Sequence, residues 1–244
     1  MEVFFYLFFY FRNMHKIFHP FPFENEISIS ESESKHLCRV MRLTEGSQVL
    51  LLDGNGSKAL AEITLAHQKK TQLKIIEIDK IEKRGNFNLT IAIAPTKNID
   101  RFEWFLEKSS ELGIDRIVPL LCERSERKII KQDRLNKILI SAIKQSGQYF
   151  LPKLEALTTL QEFVKNNKTG FIAHCETEVE TPPFTEVIKR QTDINILIGP
   201  EGDFTSKEIS FAKANDYNEV TFGKSILRTE TAGVYCSAIT NALL

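Results

Sequence analysis

Two short stretches carry residue types that could do chemistry. "GPEG" spans Gly199 to Gly202, and "SILRTETA" spans Ser225 to Ala232. The first sets one carboxylate, Glu201, between a Gly-Pro and a Glu-Gly turn. Glycine reaches backbone angles that other residues avoid and proline fixes its own, so the chain must turn there. The second sets Arg228 before Thr229, a good N-cap, and Glu230 in a first helical turn, where the dipole favours an acid. A cation ahead of a helix N-terminus faces the positive end of that dipole and gains nothing from it. Arg228 therefore answers to another partner, which is Glu201, Glu230 or a substrate phosphate. The plainer alternatives are a structural arginine–glutamate pair and an ordinary strand-to-helix turn.

Both stretches need elements to position them. "INILI" (Ile194 to Ile198) is a short apolar run bounded by turn residues, which suits a strand buried on both faces. Thr205 and Glu208 have capping-box spacing, and Phe204 and Ile209 occupy the two positions of a hydrophobic staple. The order is strand, tight loop, helix start. In open α/β sheets, loops beyond the carboxyl ends of strands are where ligands bind. "AHCETE" (Ala173 to Glu178) ends another buried run in polar residues and brings His174 to the same crevice. GxSxG, HExxH, P-loop and GxGxxG patterns are all missing.

The rest of the chain has two grammars. From about Lys16 to Ile81, "SQVLLLDG", "SKALAEITLA" and "TQLKIIEIDK" are β-forming runs separated by turn residues, the pattern of a small barrel. "ESKHLCRVMRL" (Glu33 to Leu43) interrupts them with helical spacing at Leu37, Val40 and Met41. Its Lys35, His36, Arg39 and Arg42 are either a solvated face or a phosphate-contacting patch. The charged run Glu77 to Asn86 reads as a linker. Beyond it strands and helices alternate: "LTIAIAP", "RFEWFLEKSSELG", "DRIVPLL", "RLNKILISAIKQSG", "GFIAHC", "INILIG", "NEVTFG" and "TETAGVYCSAITNALL". Such alternation implies a mostly parallel sheet covered on both faces.

Composition bounds the reading. The 244 residues suffice for one large domain or two modest ones, and 42% hydrophobic with 26% charged content is that of a globular protein. A formal net charge of +0 excludes binding to nucleic acid by bulk charge but leaves room for a local basic face. Cys38, Cys122, Cys175 and Cys236 are far apart, with no CxxC or metal-ligand spacing, and read as reduced thiols in a cytoplasmic protein. "MEVFFYLFFYF" lacks the basic start and cleavage site of a secretion signal and is too short to span a bilayer. Residues 1–13 read as an extension upstream of a working start at Met14, and no membrane partner is expected.

"IGPEGDFTSKE" followed by "FGKSILRTETA" resembles the paired signature of the 16S ribosomal RNA uracil-N3 methyltransferases, members of the SPOUT superfamily. "HLCRVMRL", "EWFLEKSSELGIDRIVPLLCERS" and "KQSGQYFLPKL" resemble further blocks of that family in the expected order. The resemblance covers almost all of residues 14–244. It implies a PUA-like β-barrel RNA-binding domain over 14–82 and an α/β domain over 87–244 of the SPOUT type, with a C-terminal trefoil knot. It implies a homodimer that binds S-adenosylmethionine and methylates N3 of a uridine near the decoding centre, on 16S rRNA or the assembled 30S subunit, without a metal. Carried onto this chain, His174, Ile198, Gly199, Pro200, Glu201, Gly202, Ser225, Ile226, Leu227, Thr231 and Ala232 would hold the cofactor. The two glycines would let backbone approach it. Arg228 would stabilise uridine charge, oriented by Glu201 or Glu230. Lys35, His36, Arg39, Arg42, Arg124 and Lys144 would contact RNA. Two positions depart from the family pattern: Asp203 stands where a glycine is usual, and Gln148 where an arginine is frequent. A related target on another rRNA site or on tRNA, and a non-catalytic RNA-binding protein, are the competing readings.

The basic patch yields a first prediction. Arg39→Ala with Arg42→Ala should weaken RNA binding and flatten its salt dependence, because phosphate contacts release counterions. Filter binding across a salt series checks this. An unchanged slope would leave the patch a solvated face.

Overall fold

The computed structural model describes residues 14–83, 85–175, 181–188 and 192–244. The readings made for residues 1–13, for Arg84 and for Glu176 to Glu178 lie outside them. The chain divides into two compact units. One takes the residues up to Lys83 together with Ile143–Leu151, and the other takes the remainder.

The first unit is built on a five-stranded sheet in the order β1-β3-β4-β5-β2. Its strands are β1 (Lys16–Phe18), β2 (Glu26–Ser28), β3 (Gln48–Leu52), β4 (Ser57–Leu65) and β5 (Gln72–Lys80). Alternation does its work in β4, where Ala59, Ala61 and Ile63 are fully buried. The charged run expected to be a linker is strand as far as Lys80. There Ile78 lies opposite Ala59, and Lys58 pairs with Asp79 at 3.2 Å. The expected amphipathic helix over 33–43 is also revised. Helix α1 (Glu31–Lys35), capped by the Ser30 hydroxyl, gives way to a π-turn over His36–Val40. Met41 N–H donates to His36 O at 3.1 Å. The wider turn breaks the 3.6-residue period. Leu37 is buried, but Val40 and Met41 turn outward, 65% and 43% exposed.

The second unit is a seven-stranded sheet in the order β12-β10-β11-β6-β7-β8, with β9 also on β7. The strands are β6 (Asn88–Ile93), β7 (Arg116–Leu121), β8 (Lys153–Leu154), β9 (Thr158–Thr159), β10 (Gly170–Ala173), β11 (Asp193–Ile198) and β12 (Tyr217–Val220). Every pairing in it is parallel. Strand β11 is continuously apolar from Ile196 to Ile198 because helices cover both faces. The helices that follow β6 are α2 (Ile99–Glu111), α3 (Gln132–Ser146, whose last turn belongs to the first unit), α4 (Leu160–Asn166), α5 (Phe184–Val187), α6 (Ser206–Lys213) and α7 (Thr229–Leu243). Gly113 and Gly147 end α2 and α3 with φ of 81° and 77°, the left-handed turn glycine makes cheaply.

After β12 at one edge of the sheet, α7 crosses back to pack on α2, β6 and β11, the course expected of the knotted fold. Gly233 makes this possible. A Cβ there would sit 2.5 Å from the Phe105 ring and 3.0 Å from Ile93. Gly233→Val should therefore destabilise the protein by about 1–3 kcal/mol through overpacking. A urea midpoint equal to the parent's would show that α7 can move aside.

Candidate active site

Three neighbouring parallel strands, β12, β10 and β11, end on the same side, and the loops that leave them enclose one cavity of about 350 Å³. Ala173 to Cys175 leave β10, Ile198 to Glu201 and Asp203 leave β11, and Val220 to Thr229 leave β12. This is the carboxyl-end crevice the sequence pointed to. Two buried aliphatic residues, Ile198 and Ala232, supply apolar wall. Glu201 and Asp203 supply negative charge and Arg228 and Lys224 positive charge.

Polar contacts lock the loops. The Thr229 hydroxyl, buried, donates to Gly199 O at 3.0 Å. Thr229 is therefore not the N-cap expected of it. Arg228 occupies that position, its side chain makes no capping bond, and Thr229 is the first residue of α7. Asp203 adopts the left-handed conformation, with φ of 60°. Its carboxylate accepts from Phe204 N–H and from Cys175 N–H, both at 2.8 Å, so it ties the β11 loop to the β10 loop. The aspartate at this departure from the family pattern thus keeps the turn and adds a clamp. The expected capping box is complete. Glu208, 1% exposed, accepts from Thr205 N–H at 2.9 Å, and its other oxygen accepts from Glu123 N–H at 2.9 Å. That contact carries Arg124 to the loop, where it donates to Gly202 O and Phe204 O at 2.8 and 3.2 Å.

The turn does not use the unusual backbone angles expected of its glycines. Neither Gly199 nor Gly202 has a positive φ. A Cβ on Gly199 would stand 3.2 Å from the Phe204 ring, and one on Gly202 would stand 3.4 Å from Arg124 Cβ. The missing side chain of Gly199 leaves room for the staple residue, whereas a Cβ on Gly202 would only touch the arginine. Phe204 is fully buried and shares a core cluster with Ile209, as a staple should.

Most of the residues singled out in the sequence meet in this cavity. His174, Ile198, Gly199, Pro200, Glu201, Ser225, Ile226, Leu227, Arg228 and Ala232 all line it. Gly202 and Thr231 do not. The acid expected beside Arg228 is elsewhere. Glu201 accepts Lys97 N–H at 2.9 Å, and Glu230 lies 3.8 Å from Arg101. Arg228 is exposed and has no ion-pair partner among the described residues. Cys175 and Asp203 also line the cavity and were missed, since nothing in sequence joins 175 to 203. Burial and the nearby Asp203 push the Cys175 thiol up, which keeps it from acting as a thiolate. His174 donates or accepts through Nε2 with Glu219 at 3.0 Å. Lys213, and then His174, hold the Glu219 carboxyl below its usual range. Nδ1 of His174 is buried without a partner among the described residues, which leaves one hydrogen-bonding atom for a ligand.

The residues expected to contact RNA do not form one set. Lys35, Arg39 and Arg42 are exposed in the first unit, with Arg39 donating to Gln68 at 2.6 Å. Lys144, also in that unit, is half-buried and paired with Glu33 at 2.7 Å. His36 is half-buried and packs its ring on His15 at 5.2 Å. Arg124 is occupied by the loop carbonyls.

A parallel sheet with its cavity in these loops, in a chain that also carries a separate β-sheet unit bearing cations, fits the RNA methyltransferases. Residues 83–241 match the family model of the RNA methyltransferase domain, and residues 29–81 match that of the RNA methyltransferase PUA domain. The chain belongs to the ribosomal RNA small subunit methyltransferase E family, with an RNA methyltransferase α/β domain preceded by a PUA domain. It is 31% identical to the Synechocystis protein of that name over 229 residues, covering 91% of this chain and 74% of the relative. Against the Bacillus subtilis protein the identity is 29%, over 85% and 86% of the two chains. Among solved structures, the Neisseria gonorrhoeae enzyme bound to S-adenosyl methionine superposes with a TM-score of 0.85 at 26% identity, over 95% and 98% of the chains. A Porphyromonas gingivalis structure described as a probable rRNA-methyltransferase superposes with a TM-score of 0.85 at 34% identity, over 94% and 98%.

The Asp203 clamp yields a prediction. Asp203→Ala loses two hydrogen bonds and leaves a Cβ residue at φ 60° without the local bonding that favours it. It should lower stability by about 2 kcal/mol, whereas Asp203→Gly, which relieves the strain, should lose less. Thermal unfolding of both variants checks the order. A more stable alanine variant would refute the clamp.

Proposed function

We propose that this protein transfers the methyl group of S-adenosylmethionine to N3 of a uridine in the 16S rRNA of the small ribosomal subunit, and that it does so as a homodimer. The observation that carries the reading is the single cavity walled by the Gly199–Asp203 and Phe222–Thr229 segments. It is supported by relatives named ribosomal RNA small subunit methyltransferases and by similar structures solved with that cofactor bound. The donor set fits. Apolar walls at Ile198 and Ala232 suit an adenine, peptide groups of Ser225 to Leu227 suit its edge, and Glu201 and Asp203 suit a sulfonium charge. The orphaned His174 Nδ1 is a further polar contact.

When bound, the cofactor supplies a methyl group that is already electrophilic. The protein then has two tasks. It must hold an unpaired uridine with N3 in line, since N3 lies on the pairing edge. It must also ease loss of the N3 proton, whose departure leaves charge on O2 and O4. Arg228, exposed beside the cavity and free of acid partners among the described residues, is suited to meet that charge. Glu201 is held by Lys97 N–H through one oxygen and faces the cavity as a candidate proton acceptor. Exposed Trp104, Tyr235 and Leu243 on the paired helices α2 and α7 support the dimer reading, because such apolar area is usually covered.

Arg228→Ala should bind S-adenosylmethionine as the parent does in calorimetry, yet methylate 30S subunits on the order of a hundredfold to a thousandfold more slowly in single turnover. Arg228→Lys should recover little if the planar fork is needed. Parent rates in the alanine variant would remove Arg228 from the mechanism. Small-subunit RNA from cells lacking the protein that still carries its N3-methyluridine would refute the assignment.

A further inference from the structure

A second cavity, of about 440 Å³, abuts the first. It is lined by Lys97, Asn98, Arg101, Glu126 and Glu201. Glu201 is the one residue that lines both, so the two cavities meet at it. We propose, building on the methyltransferase reading, that this second cavity receives the acceptor base, and that Arg101, positioned by Glu230, recognises a carbonyl oxygen on the pairing edge of uracil.

The charges are arranged for that task. Arg101 is 43% exposed at its side chain and opens onto the cavity. Behind it Glu230 is buried, with Oε1 3.8 Å from Arg101 Nε and Oε2 without a partner among the described residues. A buried carboxylate with one weak ion pair and an orphaned oxygen is expensive to maintain, and such costs gather at functional sites. The pair is too long for a hydrogen bond, so Glu230 orients the guanidinium while leaving its terminal N–H donors for a ligand. Lys97, which also lines the cavity, is already paired with Glu126 at 2.8 Å, so Arg101 is the cation there with donors to spare.

Uracil matches this layout. Its N3–H is flanked by two carbonyl acceptors, O2 and O4. When the proton goes to a carboxylate such as Glu201 and the methyl replaces it, the charge in transit is shared by both oxygens. Arg228 lines the first cavity and Arg101 the second, with Glu201 common to both, which supplies one donor group for each oxygen. Cytosine would set an amino group, itself a donor, against one of these arginines and carries no N3 proton to lose. A site that aims donors at a carbonyl disfavours such an analogue, because donor then meets donor.

Arg101→Ala, Arg101→Lys and Glu230→Gln in the full chain would test this, with the parent alongside. Calorimetry should give all of them the parent's affinity for S-adenosylmethionine. Single-turnover methylation of 30S subunits at saturating substrate should fall about a hundredfold in Arg101→Ala, little of it recovered by lysine, and less in Glu230→Gln. A merely structural role would leave the pH profile in place. If Arg101 meets the uridine charge, the pH at which the rate levels off should move upward in Arg101→Ala, because the bound N3 proton becomes harder to lose. Circular dichroism melts guard against misfolding, and Arg101, being half-exposed, is the decisive variant. Parent-like rates in Arg101→Ala, or a rate loss that keeps the parent's pH profile, would overturn the assignment while leaving the methyltransferase reading intact. A parent that neither binds the cofactor nor methylates would overturn both.

Discussion

The hydrogen bond from the Thr229 hydroxyl to Gly199 O is the contact on which the catalytic unit turns. It is buried, so the peptide oxygen it satisfies would otherwise be left unpaired at a cost of about 1–3 kcal/mol. It joins the first residue of α7 to the first loop residue after β11. Because α7 is fixed there, Glu230 faces Arg101, Arg228 stands at the cavity mouth, and Gly233 can settle against Phe105. The helix enters at this depth only because position 233 has no side chain.

Around that bond the loops are held by polar groups rather than by apolar area. Asp203 bonds the β10 loop, Glu208 bonds the loop after β7, and Arg124 bonds the carbonyls between Gly202 and Phe204. Each of these residues satisfies peptide groups that regular structure leaves open where strands end. A fixed set of backbone dipoles and charges then surrounds the cavity. The net charge of the chain is zero, yet acids and cations alternate across Glu201. Local arrangement, not the total, sets the field.

Local signals were legible wherever a short-range rule governs. The Thr205–Glu208 capping box, the Phe204–Ile209 staple, the terminating Gly113 and Gly147, and the apolar run of β11 all follow from neighbours within one turn or one strand. The cavity's place was legible for the same reason, because a parallel sheet must put its loops at the carboxyl ends. Val40 and Met41 were misread because one π-turn shifts every later residue around the helix axis. The linker was misread because Ile78 and Lys80 gain strand partners in β4, which charge content does not reveal. The capping box that starts α4, Thr159 with Glu162, was present in the sequence and passed over.

By itself the sequence determined which residues are available: one carboxylate in a glycine turn, one arginine before a helix, and strands that must be parallel. Only the tertiary structure decided the partners. Glu201 went to Lys97 and Glu230 to Arg101, and Arg228 was left exposed. Gly202 came to lie against Arg124. Asp203 reached across 28 positions to Cys175. These pairings depend on which strands become neighbours, since β6, β10, β11 and β12 lie far apart in the chain and adjoin only in the sheet. Hydrogen bonds and ion pairs act over a few ångströms, so sequence distance carries no information about them until the fold has closed.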